Sequence, residues 1–492
     1  MRKDTTRSFV VKLRLRTSGE DERAINDSLN AGRMVFNACL GETLRRLDLM
    51  HESKAYKRTA AMPKDESRTK AFKALRQKYG FKDSAIQAFA IECKNAAPQI
   101  GNHIDAHSPQ KIATRVFAAC NRNAVGLGGR PRYKGRHQFN SLECKTNAAG
   151  IRYRDGWVMW RGLEIECIID PKDEVVAYGL TRRIKFCRFV KRVIKGKVKY
   201  YAQLVVAGIP WQKEQKKPCE EVVGIDIGPS SIAYVGETKA ALKQFCAEME
   251  NIARQIRLMQ REMDRSRRGT NPQNYTYDGT IKKGVRKWEY SERYKVIRAE
   301  LADLHRRSAA HRHSLHGKLG NDILRVGNQL YIENSSFKSF QKNFGKSAGN
   351  RAPGMFVTGL VRKAESAGGT AWDIPSHAFK MSQLCKCGKF KKKPLSERWH
   401  KCDCGAVAQR DLMSAFLARC VEKKDDKYIL DMSRVERLWC ETEPLMEQAI
   451  SKILDESASG RAFPASFGLK SLRSAQRQSG SPVNLMLRSE TG

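Results

Sequence analysis

Residues 9–16, Phe-Val-Val-Lys-Leu-Arg-Leu-Arg, alternate apolar and basic side chains, the period of a strand with one buried and one cationic face. Ile25, Leu29, Phe36, Leu40, Leu44 and Leu47 then recur near helical spacing. A charged, helix-prone stretch continues to about residue 125, with a polar, proline-containing break near 97–110. The texture changes at Gly126. Arg130-Pro131-Arg132-Tyr133-Lys134 lies in a glycine-loosened basic segment, and the short runs Ile151–Tyr153 and Trp157–Trp160 predict strands. Ile184–Ile194 and Val198–Val206 flank Gly196 and predict a hairpin. The first half therefore reads as a β-barrel-like module interrupted by a helical insertion.

Residues 212–221 are polar and read as a linker. Beyond them the periodicity predicts an apolar strand at Val222–Ile227, a helix over 240–265, a loop over 268–284 and a long charged helix over 288–325. The two helices would form an antiparallel hairpin spanning 240–325. A short strand at Leu330–Glu333, a helix at Ala352–Ala367 and a strand-like run at Thr370–Ile374 follow. Val435–Leu454 fits one amphipathic helix, and the residues after Ser457 have a disordered composition.

Charge adds a partner to this picture. The 492 residues carry 92 Lys and Arg against 52 Asp and Glu, a formal net charge of +40. Neutralising phosphates releases condensed counterions, so a polyanion is the expected partner. Lys185, Arg188, Lys191 and Arg192 of the expected hairpin, interleaved with Phe186, Phe189, Tyr200 and Tyr201, make either a phosphate-tracking ribbon or a solvated sheet face; the overall charge favours the ribbon. No apolar N-terminal region and no apolar run of membrane-spanning length occurs, which predicts a cytosolic protein without a membrane partner. Ten of the 14 cysteines are scattered singly, as reduced thiols would be.

Three acids stand out against their surroundings. Asp226 lies between Ile225 and Ile227 in an apolar strand that ends in Gly-Pro-Ser-Ser, and Glu333 follows Leu330-Tyr331-Ile332. Asp411 opens an apolar-periodic helix through Leu412, Ala415, Phe416 and Ala418. An acid on a buried strand costs free energy unless it is paired or binds a cation. Two strand-end acids and one at a helix start can converge on one point. Two magnesium ions held there would clamp the attacking and leaving oxygens of a phosphodiester. Asp373, in Ala371-Trp372-Asp373-Ile374-Pro375, reads as a structural acid outside this set.

The remaining four cysteines form the pairs Cys385-Lys386-Cys387-Gly388 and Cys402-Asp403-Cys404-Gly405, which suit a structural zinc with a closed thiolate shell. The pairs hold one intervening residue rather than the usual two, so the bite is tight and His400 is a possible substitute ligand. His305, His311, His313 and His316 lie in an Arg-dense helix and read as a solvated or RNA-facing surface rather than a metal site.

The order Gly-Ile-Asp-Ile-Gly at 224–228, Ile-Glu-Asn at 332–334, a four-cysteine cluster and Arg-Asp-Leu-Met-Ser-Ala at 410–415 resembles the RuvC nuclease of TnpB proteins and compact type V CRISPR effectors. Ser291-Glu292-Arg293-Tyr294 with Leu304-His305, Lys380-Met381-Ser382-Gln383-Leu384-Cys385, and Arg130-Pro131-Arg132-Tyr133-Lys134 extend the likeness. It covers roughly residues 5–420, strongest over 222–418. TnpB-like proteins commonly have two residues between the paired cysteines, and here there is one.

The resemblance implies an α+β multidomain protein. A wedge-like β-barrel would comprise 1–20 and 126–215, with a helical recognition insertion at 21–125. An RNase-H-like RuvC domain would comprise 219–380 and 406–420, with a zinc-binding insertion at 381–405 and a tail at 421–492. It implies an RNA-guided DNA endonuclease, with guide RNA and target double-stranded DNA as partners and a short duplex motif read beside the target. Asp226, Glu333 and Asp411 would hold two Mg2+ ions, Arg410 would approach the scissile phosphate, and Zn2+ would be structural. Arg130, Arg132, Tyr133, Lys134 and the hairpin cations would contact nucleic acid. Two other classes fit the composition: an RNA-guided repressor without nuclease activity, disfavoured because all three acids are present, and a transposase or recombinase with RNase-H-like acids.

Overall fold

The computed structural model describes residues 7–214, 217–334, 337–425 and 427–469, and the chain divides into two compact units, Met1–Trp211 and Gln212–Gly492.

The first unit contains β1 (Ser8–Arg16), α1 (Gly19–Glu52), α2 (Lys54–Ala61), α3 (Glu66–Lys78), α4 (Asp83–Ala96), α5 (Pro98–Gly101), α6 (His107–Ala124), β2 (Ser141–Glu143), β3 (Arg152–Arg154), β4 (Trp157–Trp160), β5 (Leu163–Ile168), α7 (Glu174–Leu180), β6 (Ile184–Ile194) and β7 (Lys197–Ala207). The strands form one antiparallel sheet in the order β2-β6-β7-β1-β5-β4-β3. In β1 the alternation works as the sequence demands: Phe9, Val11, Leu13 and Leu15 are buried and the residues between them face solvent. The sheet curls until its ends meet across Asn147. The Asn147 N–H donates to the Lys185 carbonyl on β6 (3.0 Å), while its amide side chain bonds both the carbonyl and N–H of Tyr153 on β3 (3.0 and 2.8 Å). One side chain thus substitutes for a missing strand pairing, leaving an incompletely closed barrel. Helix α1 begins at a capping box, in which Ser18 and Asp21 satisfy each other's backbone N–H groups. It packs with α4 and α6 into the core the barrel also uses.

The second unit contains β8 (Val222–Ile227), β9 (Ser231–Val235), β10 (Ala240–Gln244), α8 (Ala253–Thr270), α9 (Glu292–Leu324), β11 (Gln329–Asn334), α10 (Phe337–Arg351), α11 (Pro353–Ser366), β12 (Thr370–Pro375), α12 (Ser376–Phe379), β13 (Trp399–Lys401), β14 (Val407–Gln409), α13 (Arg410–Cys420), β15 (Val421–Lys424), β16 (Lys427–Leu430) and α14 (Met432–Ala458). Its main sheet has the order β10-β9-β8-β11-β12. The first three strands are an antiparallel meander, and β11 and β12 run parallel to β8. Val223, Ile225, Ile227, Leu330 and Ile332 face one core with Leu315 and Leu319 of α9 and Phe356 and Leu360 of α11. Ala233, Val235, Tyr331 and Ile374 face the other, with α13 and α14.

Several expectations change. Residues 240–244 are a strand, and the helical hairpin spans α8 and α9 rather than 240–325. A strand buried on both faces loses its alternation and cannot be told from a helix by periodicity. The helix expected at Val435–Leu454 is part of α14, and residues 459–469, expected to be disordered, are folded onto the unit. Val435, Trp439, Met446, Ile450 and Ile453 of α14 are buried with Phe467 and Leu469 in the α13 core. The residues beyond 469, for which disorder was expected, lie outside the described residues. His305, His311 and His313 are exposed as expected, but His316 is core: it stacks on Phe245 and its Nε2 meets the Arg351 carbonyl at 2.9 Å. Among the described residues, no helix is long and apolar enough to cross a membrane.

Candidate active site

The sheet register decides where the acids point. Residues 222, 224 and 226 of β8 face α13, and so do Tyr331 and Glu333 of β11. The parallel pairing of Ile332 with Ile225 sets Glu333 beside Asp226. Helix α13 closes on this face at a glycine: a Cβ on Gly224 would lie 2.0 Å from the Ala415 carbonyl oxygen. Gly224 therefore fixes the approach that delivers Asp411, in the first turn of α13, over the strand ends. Asp373 pairs with Ile332, shares that residue's face and is exposed, so it stands apart as expected.

Each of the three carboxyls keeps an opening to solvent although protein atoms surround it densely. Burial raises the proton affinity of Asp226 far above the carboxylate range, and the neighbouring charges of Glu333 and Asp411 raise it further. Burial and Asp411 push Glu333 up to about 7. Burial also raises Asp411, against the opposing pull of Arg398, a Ser231 hydrogen bond, Arg410 and Gln409. The three acids thus share one electrostatic site in which full ionisation is disfavoured unless a cation enters. Acid-only oxygen donors that repel one another fit magnesium. Two such ions would supply polarisation of a phosphoryl group and a metal-bound water nucleophile. The carboxylates are spaced more widely than the thiols described below: among the described residues, only the four cysteines place all their ligand atoms within 4.8 Å of one another.

Three side chains that sequence reading passed over, Ser231, Gln409 and Arg398, act on this arrangement alongside Arg410. The Ser231 hydroxyl donates to Asp411 Oδ2 at 3.0 Å. Gln409 caps α13, its Oε1 accepting from the N–H groups of Asp411 and Leu412 at 2.7 and 3.0 Å. Gln409 Nε2 in turn donates to the Ser466 carbonyl at 3.2 Å, so the chain's last described segment buttresses the cap. Arg398 lowers the proton affinity of both Asp226 and Asp411. Arg410 acts on all three acids while donating to the Pro394 carbonyl at 3.1 Å. The cap could have been read from Gln409 directly before Arg-Asp; Arg398 carries no local signal.

Cys385 and Cys404 sulfurs lie 3.5 Å apart, and those of Cys387 and Cys402 lie 3.7 Å apart. Four thiolates at Zn–S bond lengths would sit about 3.8 Å from one another, so the set fits one tetrahedral zinc. The tight bite is accommodated by two matching knuckles. The Gly388 and Gly405 N–H groups close turns on the Cys385 and Cys402 carbonyls, at 3.0 Å each, with φ of +82° and +81°. His400 is not in the ligand set: its Nδ1 meets Lys393 Nζ, and burial lowers its proton affinity to about 4. The knuckles are joined to the acids through the chain, since β14 runs straight into α13.

The expected nucleic-acid residues of the first unit divide. Arg132, Tyr133 and Arg192 are exposed. Arg130 forms a two-pronged pair with Asp48 (2.8 and 2.7 Å). Lys134 lies over the Phe36 and Phe139 rings. Lys185 is half-buried beside the Asn147 stitch, and Arg188 pairs with Glu143. Lys191 points inward to Asn26 (2.6 Å), and Phe189 and Tyr200 are core, so these three do not lie on the open face of the hairpin.

No family model and no curated protein matches the chain. Among solved structures it is similar to the protein of a Cas12f1–sgRNA–target DNA complex, at 12% identity and a TM-score of 0.39 over 84% of this chain and 98% of that one. It is also similar to the protein of a CRISPR-Cas12f ternary complex, at 12% identity and a TM-score of 0.24 over 83% of this chain and 98% of the other. Neither overlap reaches the level at which a shared fold follows.

Proposed function

We propose that the chain is an RNA-guided DNA endonuclease of the compact type V or TnpB kind, with an RNase-H-like nuclease domain in its second unit. Asp226, Glu333 and Asp411 hold two Mg2+ ions, Arg410 contacts the scissile phosphate, and a structural Zn2+ sits in the four-cysteine knuckles. The observation that carries the reading is the mutual electrostatic coupling of three acids separated by most of the second unit's sequence. The chain's own groups orient the acids: Ser231 and Gln409 hold Asp411, and Gly224 admits α13. Guide pairing supplies sequence specificity, while the protein reads the flanking motif and backbone. The +40 charge supports an RNA and DNA partner.

The test is purification of the full chain with its small RNA, followed by incubation with a duplex matched to that RNA. Magnesium-dependent cutting that disappears in Asp226→Ala is expected. Cutting that persists in Asp226→Ala would overturn the site assignment, and absence of co-purifying RNA would favour the recombinase class.

A further inference from the structure

Helices α8 and α9 leave the sheet as a hairpin whose tip, residues 271–291, is folded without touching either core of the unit. Helix α8 buries none of its residues. At the helical rise, α9 runs about 35 Å from Leu315, its first residue in the sheet core, back to Glu292. The carboxylates lie on the opposite sheet face, so the tip is a separate place.

Segments this far from a core are usually loose, and this one is not. Asn271 is fully buried and clamps the two arms: its amide donates to the carbonyls of Arg267 and Glu289 (2.9 and 2.8 Å) and accepts from the Glu289 N–H (2.7 Å). Tyr275 and Trp288 meet edge to face at 5.8 Å, with Arg268 over the first ring and Arg267 over the second. A tight turn then presents Tyr277. The Gly279 N–H donates to the Thr276 carbonyl at 2.9 Å, the Thr276 N–H to the Thr280 carbonyl at 2.8 Å, and Gly279 takes φ +78°. Arg268 Nη1 locks the turn through the Gly279 carbonyl at 2.7 Å.

The ring of Tyr277 stands wholly in solvent, at 109% relative exposure. A single exposed ring is ordinary on a protein surface. Here it stands on a fixed support beside Lys282, Lys283, Arg286 and Lys287, all exposed and in no ion pair among the described residues. An open aromatic face on an ordered turn, with four unpaired cations against the single carboxylate of Asp278 in that turn, is what an unpaired base and its flanking phosphates require.

From this juxtaposition we infer that the hairpin tip is a single-stranded DNA subsite, in which Tyr277 stacks on one unpaired base and the tip lysines and arginine track the adjoining phosphates. The choice of DNA rests on the proposed nuclease reading; the stacking chemistry does not.

The full chain is titrated, without divalent cations, against DNA oligonucleotides carrying 2-aminopurine, and parallel samples carrying 5-iodouracil are photocrosslinked and mapped. Fluorescence quenching and a crosslink within 274–282 are expected for single-stranded DNA. Tyr277→Ala should abolish that crosslink and weaken the quenched complex about tenfold, with Tyr277→Phe restoring both. Replacing Lys282 and Lys283 with Gln should lower the salt dependence by about one to two phosphates, while Tyr277→Ala leaves it unchanged. Equal quenching by wild type and Tyr277→Ala, or preference for RNA or blunt duplex of the same sequence, would overturn the assignment. Because no cleavage is read, a failed nuclease reading leaves these outcomes intact, and a failed tip leaves cleavage at the carboxylates untouched.

Discussion

The second unit carries two clusters of side chains, four thiols and three acids, that differ in almost every physical respect. The four cysteines come from two copies of one short knuckle, their sulfurs already 3.5 and 3.7 Å apart in pairs. The three acids come from two strands and a helix and are half-buried; Glu333 and Asp411 raise the proton affinity of Asp226, and Asp411 raises that of Glu333. A cluster built by local turns can close a complete shell, and a closed shell has no room for substrate. A cluster assembled by tertiary packing stays open and under electrostatic load, which suits chemistry. On the proposed reading, this contrast is the one expected between a structural metal site and a catalytic one.

The largest effect should come from removing one member of the open cluster. Glu333→Ala should lower cleavage at least about a thousandfold while nucleic-acid binding measured by filter retention stays within about twofold. A comparable loss from a single knuckle cysteine would erase the distinction. Next, Gly224→Ala should test the dependence on long-range packing. Its Cβ would meet the Ala415 carbonyl at 2.0 Å, so α13 must shift. Destabilisation of about 3 kcal/mol in urea unfolding, loss of cleavage and retained zinc content are expected together.

The acids also load the metal-free protein. Glu333 is raised from the ordinary 4.5 to about 7, so between those values the folded state holds a proton that the unfolded state releases. Glu333's own contribution to the stability of the chelated protein is therefore greatest at acid pH and is lost as pH rises towards about 7, by up to about 3 kcal/mol, while the lowered His400 works in the opposite sense below its ordinary 6.5. Magnesium should reverse the trend, protecting most at high pH. Thermal melts of wild type and Glu333→Gln in chelator and in Mg2+ from pH 5 to 8 check the sign; a wild type that gains on Glu333→Gln as pH rises in chelator would contradict it.

Smaller effects sharpen the link between the clusters. Cys387→Ser should abolish bound zinc, measured by elemental analysis, and reduce cleavage about tenfold, because the knuckles feed β14 and the Gln409 cap rather than the reaction. Ser231→Ala removes a single hydrogen bond to Asp411 and should cost about 1 kcal/mol, a few-fold in cleavage rate, with no change in zinc.

Much of the open cluster was legible in the chain because an acid inside an apolar run is conspicuous whatever surrounds it. Asp226 and Glu333 carried that signal, Asp411 stood out at the start of an apolar-periodic helix, and Asp373, which was set aside, is exposed and faces the other way. Strand β10 was lost because burial on both faces removes alternation. The last described segment was lost because its contribution is long-range: Phe467 fills the α13 core and the Ser466 carbonyl holds Gln409, neither of which has a local pattern. Arg398 was invisible for the same reason. The cationic hairpin misled because β6 and β7 send Lys191, Phe189 and Tyr200 inward, a matter of register that composition does not encode.

The most direct measurement is a structure of the nucleic-acid complex soaked with Mn2+, read by anomalous scattering. Two peaks are expected, each about 2.1 Å from carboxylate oxygens contributed by Asp226, Glu333 and Asp411. Manganese bound elsewhere, with these three acids left bare beside the DNA strand, would contradict the account.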